Sequence, residues 1–304
     1  SFPACKSLSQ MTTFTLSHPS GAAVEVDCYG ATVVRWTLPS GKQMLYLSKL
    51  ADREGKRAIR GGIPVVFPQF NSEGPLMKHG FARTSNWTKE SEYVDGEEVV
   101  CIMGLSTDDA TKKAWGHEFA LNYVIRLGMS SLSTQLIINN IGKDTFDCQC
   151  LLHTYYAVPS IATTTVRGLK GVTGVESVTT GKRREFVEEG EEIAFNSETD
   201  VKFCNAENPV EICMEDRTVR LEIEALEDGE SISPDCVVWN AWIDKCHGIA
   251  DMEDEDYKKY VCVEPGFVRS HCAVKPHHQF ALKQRITVEE KRSEERRVGK
   301  ECRS

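Results

Sequence analysis

Along most of the chain, apolar and polar residues alternate one by one, the period of a strand with one face in a core and the other in water. Thr218–Leu226 is the clearest case: Val219, Leu221, Ile223 and Ala225 share one face, and Arg220, Glu222 and Glu224 the other. Phe119–Leu127, Leu132–Asn139 and Glu97–Leu105 read as strands from their length and β-branched content. The same signals mark Thr12–Leu16, Ala23–Tyr29, Thr32–Leu38, Phe146–Leu152, Cys236–Trp242, Tyr260–Val263 and Gln279–Val288. Two short helices are predicted, one beginning near Ser106 or Thr107 ahead of Asp108 and Asp109, the other over about Met252–Lys259. Many short strands, no long helical period and no βαβ alternation predict an all-β fold, a large antiparallel β-sandwich with a few short helices.

No repeat or linker interrupts this pattern, so one sandwich domain is expected over residues 11–290 of the 304. The segment before Met11 is unpatterned. The charged run Lys291–Ser304 follows a complete final strand and is set apart from the fold. The chain carries 36 basic and 45 acidic residues, a net charge of −9, which argues against nucleic acid and anionic membrane as partners. No window approaches the ~18 apolar residues of a membrane span, and the N-terminus lacks the apolar core of a signal peptide, so a cytoplasmic location is expected. Twelve cysteines would suggest disulfides in a short secreted chain, but this one is long, and Cys101, Cys213 and Cys262 sit in apolar runs, as core residues do. There is no Cys-x-x-Cys pair, and Cys148-x-Cys150 offers two sulfurs on one strand face, short of a four-ligand zinc site. No metal is predicted.

Four segments could carry chemistry. In FDCQCLLH (Phe146–His153), Phe146, Cys148, Cys150 and Leu152 share a core face, while His153 closes the opposite, more polar face. In YVCVEPGF (Tyr260–Phe267), Val261 and Val263 face one way and Glu264 the other. Pro265 keeps Glu264 extended, and Gly266 permits a turn after it. An acid at the end of an apolar strand is costly unless paired or used. IRGGIPVVFPQF (Ile59–Phe70) and HGFAR (His79–Arg83) form a Gly- and Pro-rich path flanked by Arg60 and Arg83, whose planar forks suit a phosphate or carboxylate unless an acid such as Glu73 pairs with them. VVWNAW (Val237–Trp242) offers Trp239 and Trp242 either to a sugar's C–H face or to the core.

Taken together, IRGGIPVVFPQF, HGFAR, LLHTYY, SETD (Ser197–Asp200), VVWNAWIDK and VCVEPG, in that order over about Thr12–Val288, resemble the glucose-6-phosphate 1-epimerase family of the galactose mutarotase-like superfamily. The resemblance implies a β-supersandwich with a cleft on one concave sheet. It also implies His153 and Glu264 as the catalytic pair, with Arg60, Lys78, Arg83 and Asp200 as substrate-binding residues. Lys78 stands where family members often have glutamine, Ala241 where proline is usual, and Val201 where arginine is common. The implied reaction opens the pyranose at C1–O5 and recloses it on the other face, with no metal or cofactor. His153 would protonate O5 while ionised Glu264 takes the C1 hydroxyl proton, each near its ordinary pKa. The implied substrate is a hexose 6-phosphate, and the implied protein a cytoplasmic monomer. Competing readings are an epimerase of unphosphorylated hexoses and a non-catalytic hexose-phosphate sensor. A glycoside hydrolase fits less well, because it needs two carboxylates.

Overall fold

The computed structural model describes residues 13–176, 183–206 and 209–291. Its strands form a sheet of eight, a sheet of ten and a separate three-stranded sheet, and all the strand pairs are antiparallel. The two large sheets face each other across the core. Val238 and Val263 of the eight-stranded sheet and Leu282 and Ile286 of the ten-stranded sheet are fully buried in it. The strand Tyr260–Val274 lies between Asp235–Asn240 and Phe146–Leu152 in the eight-stranded sheet.

The strands Phe119–Leu127 and Phe146–Leu152 occupy the predicted residues, and Thr218–Leu226 is the heart of Arg217–Glu227. Thr88–Asp95 was not predicted. It is an edge strand, exposed along nearly its whole length, with no apolar face to reveal it. The strand begun at Tyr260 does not end at Val263. It runs to Val274 with Pro265 inside it, so no turn follows Glu264. At Gly266 the sheet has room for little more than hydrogen, since a Cβ there would come within 3.1 Å of Leu151 on the next strand.

The first helix is Asp109–Trp115, and its cap is Asp108, one residue beyond the predicted start. Asp108 accepts from the Thr111 amide at 2.7 Å, and the Thr111 hydroxyl accepts from the Asp108 amide at 2.9 Å. Over Met252–Lys259 only the 3₁₀ turn Asp256–Lys258 forms, because the Asp256 carboxylate takes the Glu253 amide at 2.8 Å. A helix over Trp242–His247 replaces the predicted end of a strand. Asn240 stops that strand by accepting from the Trp242 amide and donating to the Tyr257 and Tyr260 carbonyls. Lys291, predicted to open a detached tail, donates its amide to the Asp216 carbonyl at 2.9 Å, whereas residues 292–304 lie outside the described part of the chain, as do residues 1–12.

Candidate active site

The site grows out of strand register. Residues directly opposite in antiparallel strands point to the same face. Asp200, Trp239, Cys262 and Tyr155 are consecutive partners across four strands, and Lys202, Val237 and Glu264 make the next row. The intervening row, Val201, Val238 and Val263, points into the core. The first two rows floor a cleft lined by Arg60, Lys78, His79, Arg83, His153, Asp200, Trp239, Lys245 and Glu264, among others. All six sequence-predicted site residues therefore meet in one cavity.

His153 follows the strand Phe146–Leu152, and its amide donates to the Pro64 carbonyl at 3.0 Å. Its ring stacks on Tyr155 with centroids 4.7 Å apart and meets Trp239 edge to face at 5.8 Å. Nδ1 lies 3.2 Å from Oε1 of Glu264, but the two are not aligned as a hydrogen bond, so this buried nitrogen has no hydrogen-bonding partner. Trp239 thus belongs to the cleft. Trp242 instead packs on Tyr257, which divides a pair that the sequence left undecided.

Arg60 is delivered by a backbone that only glycine permits. Gly61 and Gly62 both take positive φ, and Cβ atoms there would fall 2.4 Å from the Tyr46 carbonyl oxygen and 2.2 Å from that of Val33. The guanidinium pairs with Asp251 through Nε at 3.0 Å and donates to the Tyr155 hydroxyl through Nη1 at 3.2 Å. Glu73, the acid considered for these arginines, pairs instead with Lys202 and Arg183. Arg83 donates to the Lys78 carbonyl at 2.6 Å, its Nε is buried without a partner, and among the described residues no carboxylate pairs with it. Burial and the charge of Arg60 lower its pKa to about 10. Lys78 stands at the cleft mouth. Burial, Lys245 and Arg83 lower its pKa, and no carboxylate lies within ion-pairing distance among the described residues. Asp200 has Lys245 at 3.7 Å.

His79 belongs to the site although only its motif was singled out in the sequence. It adopts φ +66, a costly conformation for a side-chain-bearing residue. Its Nδ1 accepts from the Asn71 amide at 3.2 Å, so the neutral ring carries its proton on Nε2. A histidine before a glycine in a loop was the available signal.

A family model described as Aldose 1-epimerase matches residues 12–287. The chain belongs to the aldose 1-epimerase family. A relative from Cenchrus ciliaris is 30% identical over 283 residues, covering 90% of this chain and 84% of its own length. Another from Escherichia coli K12 is 27% identical over 285 residues, covering 93% and 92%. Both bear the name "Putative glucose-6-phosphate 1-epimerase". A crystal structure from Salmonella typhimurium, described as "a putative mutarotase", matches with a TM-score of 0.82 at 26% identity, covering 94% of this chain and 92% of that one. The fold is the galactose mutarotase-like β-sandwich, and the protein is an isomerase of the mutarotase class.

In this epimerase the protonation of the central pair departs from the sequence expectation of ordinary pKa values. Burial, then Arg60, Arg83 and Lys78, push His153 well below its usual range. Burial, then Asp200, push Glu264 well above its own. Both shifts favour the neutral forms, an imidazole and a carboxylic acid, against the imidazolium and carboxylate that the sequence reading assigned. The Cys262 thiol lies within 4.8 Å of both donor atoms. Burial pushes its pKa well above the usual range, and it packs fully buried beneath the cleft floor. Among the described residues, no helix is long and apolar enough to cross a membrane.

Proposed function

We propose that this epimerase interconverts the α and β anomers of hexose 6-phosphates, with glucose 6-phosphate as the first candidate. The observation that carries the reading is Arg83, a half-buried arginine whose Nε is buried without a partner and which no carboxylate pairs among the described residues, beside Arg60 and Lys78 in the same cleft as His153 and Glu264. A cation in a cleft without an acid partner is a site for an anion, and a guanidinium fork suits phosphate. Arg60 reaches the cleft with Nη2 uncommitted, since Nε and Nη1 serve Asp251 and Tyr155.

With the 6-phosphate on the arginines, the sugar ring lies over the cleft floor. Trp239 offers it apolar surface, and Asp200 accepts from a hydroxyl. Ring opening needs one proton delivered to O5 and one removed from the C1 hydroxyl. His153 delivers the first and Glu264 removes the second, breaking C1–O5 as the C1 carbonyl forms. Rotation about C1–C2 and return of both protons close the other anomer. His79, neutral with Nε2–H as a donor, supports an oxygen that gains charge on the way.

The test is α/β exchange of glucose 6-phosphate measured by NMR exchange spectroscopy, with the uncatalysed rate subtracted, against glucose and galactose. Faster exchange of the phosphorylated sugar supports the reading. Equal acceleration of the free sugars would show that the arginines do not select phosphate. Binding without acceleration would identify a sensor built on an enzyme's scaffold.

A further inference from the structure

The cations of the cleft do not surround the His153–Glu264 pair evenly. On one side of His153 the stacked ring of Tyr155 links it to Arg60, since centroids are 4.7 Å apart and Arg60 Nη1 donates to the Tyr155 hydroxyl at 3.2 Å. On the other side the His79 ring meets His153 at 5.7 Å, and Lys78, next to His79, offers its carbonyl to Arg83 at 2.6 Å. Arg60 thus reaches the imidazole through one intervening residue, and Arg83 through two, Lys78 and His79. Glu264 lies in the neighbouring row of the cleft floor, and after burial its charged influences are Asp200 and Lys78, not the arginines. The titratable and charged groups around His153 are Arg60, Lys78, His79, Arg83, Tyr155, Cys262 and Glu264, of which only Glu264 is a carboxylic acid.

We infer that the substrate's phosphate is an activator as well as an anchor: an oxyanion on Arg60 and Arg83 switches the His153–Glu264 pair into its ring-opening form, even when it is not bonded to the sugar. The inference rests on the phosphate reading above. The switch is one proton transfer. The O–H bond of the Glu264 carboxyl breaks, an N–H bond forms on His153, and the pair keeps its net charge. An anion on the arginines offsets the repulsion that, after burial, disfavours the imidazolium, and the Tyr155 stack and the His79 contact put that effect on His153's side of the pair, so the proton moves toward the imidazole. Ring opening then spends this form. O5 takes the proton from His153, Glu264 takes the one from the C1 hydroxyl, and the pair returns to its resting arrangement with the open-chain aldehyde bound. The resting site is thereby matched to the aldehyde, and the anion-loaded site to the closed ring.

The experiment supplies the two halves of the substrate separately. D-xylose, which has no C6 arm, serves as the sugar and inorganic phosphite as the anion. Anomer exchange is followed by NMR, with buffer and phosphite catalysis subtracted from protein-free controls. Saturating phosphite is expected to raise protein-catalysed xylose exchange roughly ten- to a hundredfold, in the range of ordinary site-to-site coupling. Glucose 6-phosphate should abolish the activation, and Arg83→Gln should lose most of it. In labelled protein, phosphite at pH 7 should move the His153 imidazole nitrogens toward imidazolium shifts, a readout that needs no variant to fold. If phosphite displaces glucose 6-phosphate yet leaves xylose exchange and the His153 shifts unchanged, the phosphate is an anchor only and the inference is overturned. Equal activation of Arg83→Gln overturns it as well, by placing the effect elsewhere. If wild type fails to accelerate glucose 6-phosphate itself, the function proposed above fails, a result recognisable before any phosphite is added.

Discussion

Two buried polar clusters lie back to back near His153, and they are built to opposite rules. Beneath it, between the sheets, Gln284 donates to the hydroxyls of Thr134 and Thr154 at 3.0 Å each and accepts from Thr154 at 3.1 Å. These three side chains satisfy one another in a fully buried setting. Above it, in the cleft, His153 Nδ1 and Arg83 Nε are buried without partners, and burial pushes the pKa of His153 down and that of Glu264 up. A buried polar group left unmatched costs about 1–3 kcal/mol. The lower cluster avoids that cost and serves as a rigid support. The upper one accepts it and is left with groups ready to bond a ligand. Burial alone therefore does not distinguish these two clusters, whereas their degree of satisfaction does.

The comparison breaks most visibly at the proposed catalytic pair. His153→Ala and Glu264→Gln should each slow glucose 6-phosphate exchange by roughly 10²–10⁴-fold, the usual worth of general acid–base help, with thermal melts no lower than wild type. A loss of folding in both would move them into the supporting class. Arg83→Gln comes next: KM for glucose 6-phosphate should rise roughly ten- to a hundredfold, as loss of a charge-assisted contact implies, with the activity on free hexose little changed. In the lower cluster the signature reverses. Gln284→Leu leaves Thr134 and Thr154 short of a partner, so the protein should lose about 1–3 kcal/mol and a few degrees in Tm, while exchange per folded molecule at 25 °C stays within about twofold.

The smallest effect has a sign of its own. The folded state holds a proton on Glu264 that the unfolded chain releases above about pH 4.3, so its contribution to stability is present at low pH and fades as pH rises toward the raised folded value. Glu264→Gln, which never ionises, should therefore melt higher than wild type at pH 8, with the gap closing near pH 4–5. His153 runs the other way: the unfolded imidazole takes a proton below about pH 6.5 that the folded one resists, so its penalty grows on acidification and His153→Ala should relieve it. Melting curves across pH 5–8 resolve both trends.

Legibility in the sequence follows the same division. Period-two alternation exposed the strands that bury one face, such as Phe119–Leu127. It was silent for Thr88–Asp95, which buries neither, and it caught only the start of Tyr260–Val274, where Gly266 read as a turn. The six site residues were found through motifs in order, and no single motif was decisive. The shifted protonation of His153 and Glu264 was out of reach, because it depends on Arg60, Arg83 and Asp200, which are distant in the chain and close only in the cleft. His79 was missed for a related reason, since its Asn71 contact and left-handed backbone exist only once the loop is folded.

The strand Tyr260–Val274 is the penultimate one among the described residues but sits inside the eight-stranded sheet, between partners made more than twenty and more than a hundred residues earlier. Without it that sheet is three unconnected pieces, one of them the short strand Tyr155–Ala157, and the cleft floor has a gap where Glu264 and Cys262 belong. The strand's absence would leave open sheet edges, a state that pairing-prone chains tolerate poorly. The cleft floor is complete only when this one segment closes the sheet. A chain stopped before that segment should be inert however well the rest has collapsed, and the segment supplied separately as a peptide is the natural candidate for restoring it.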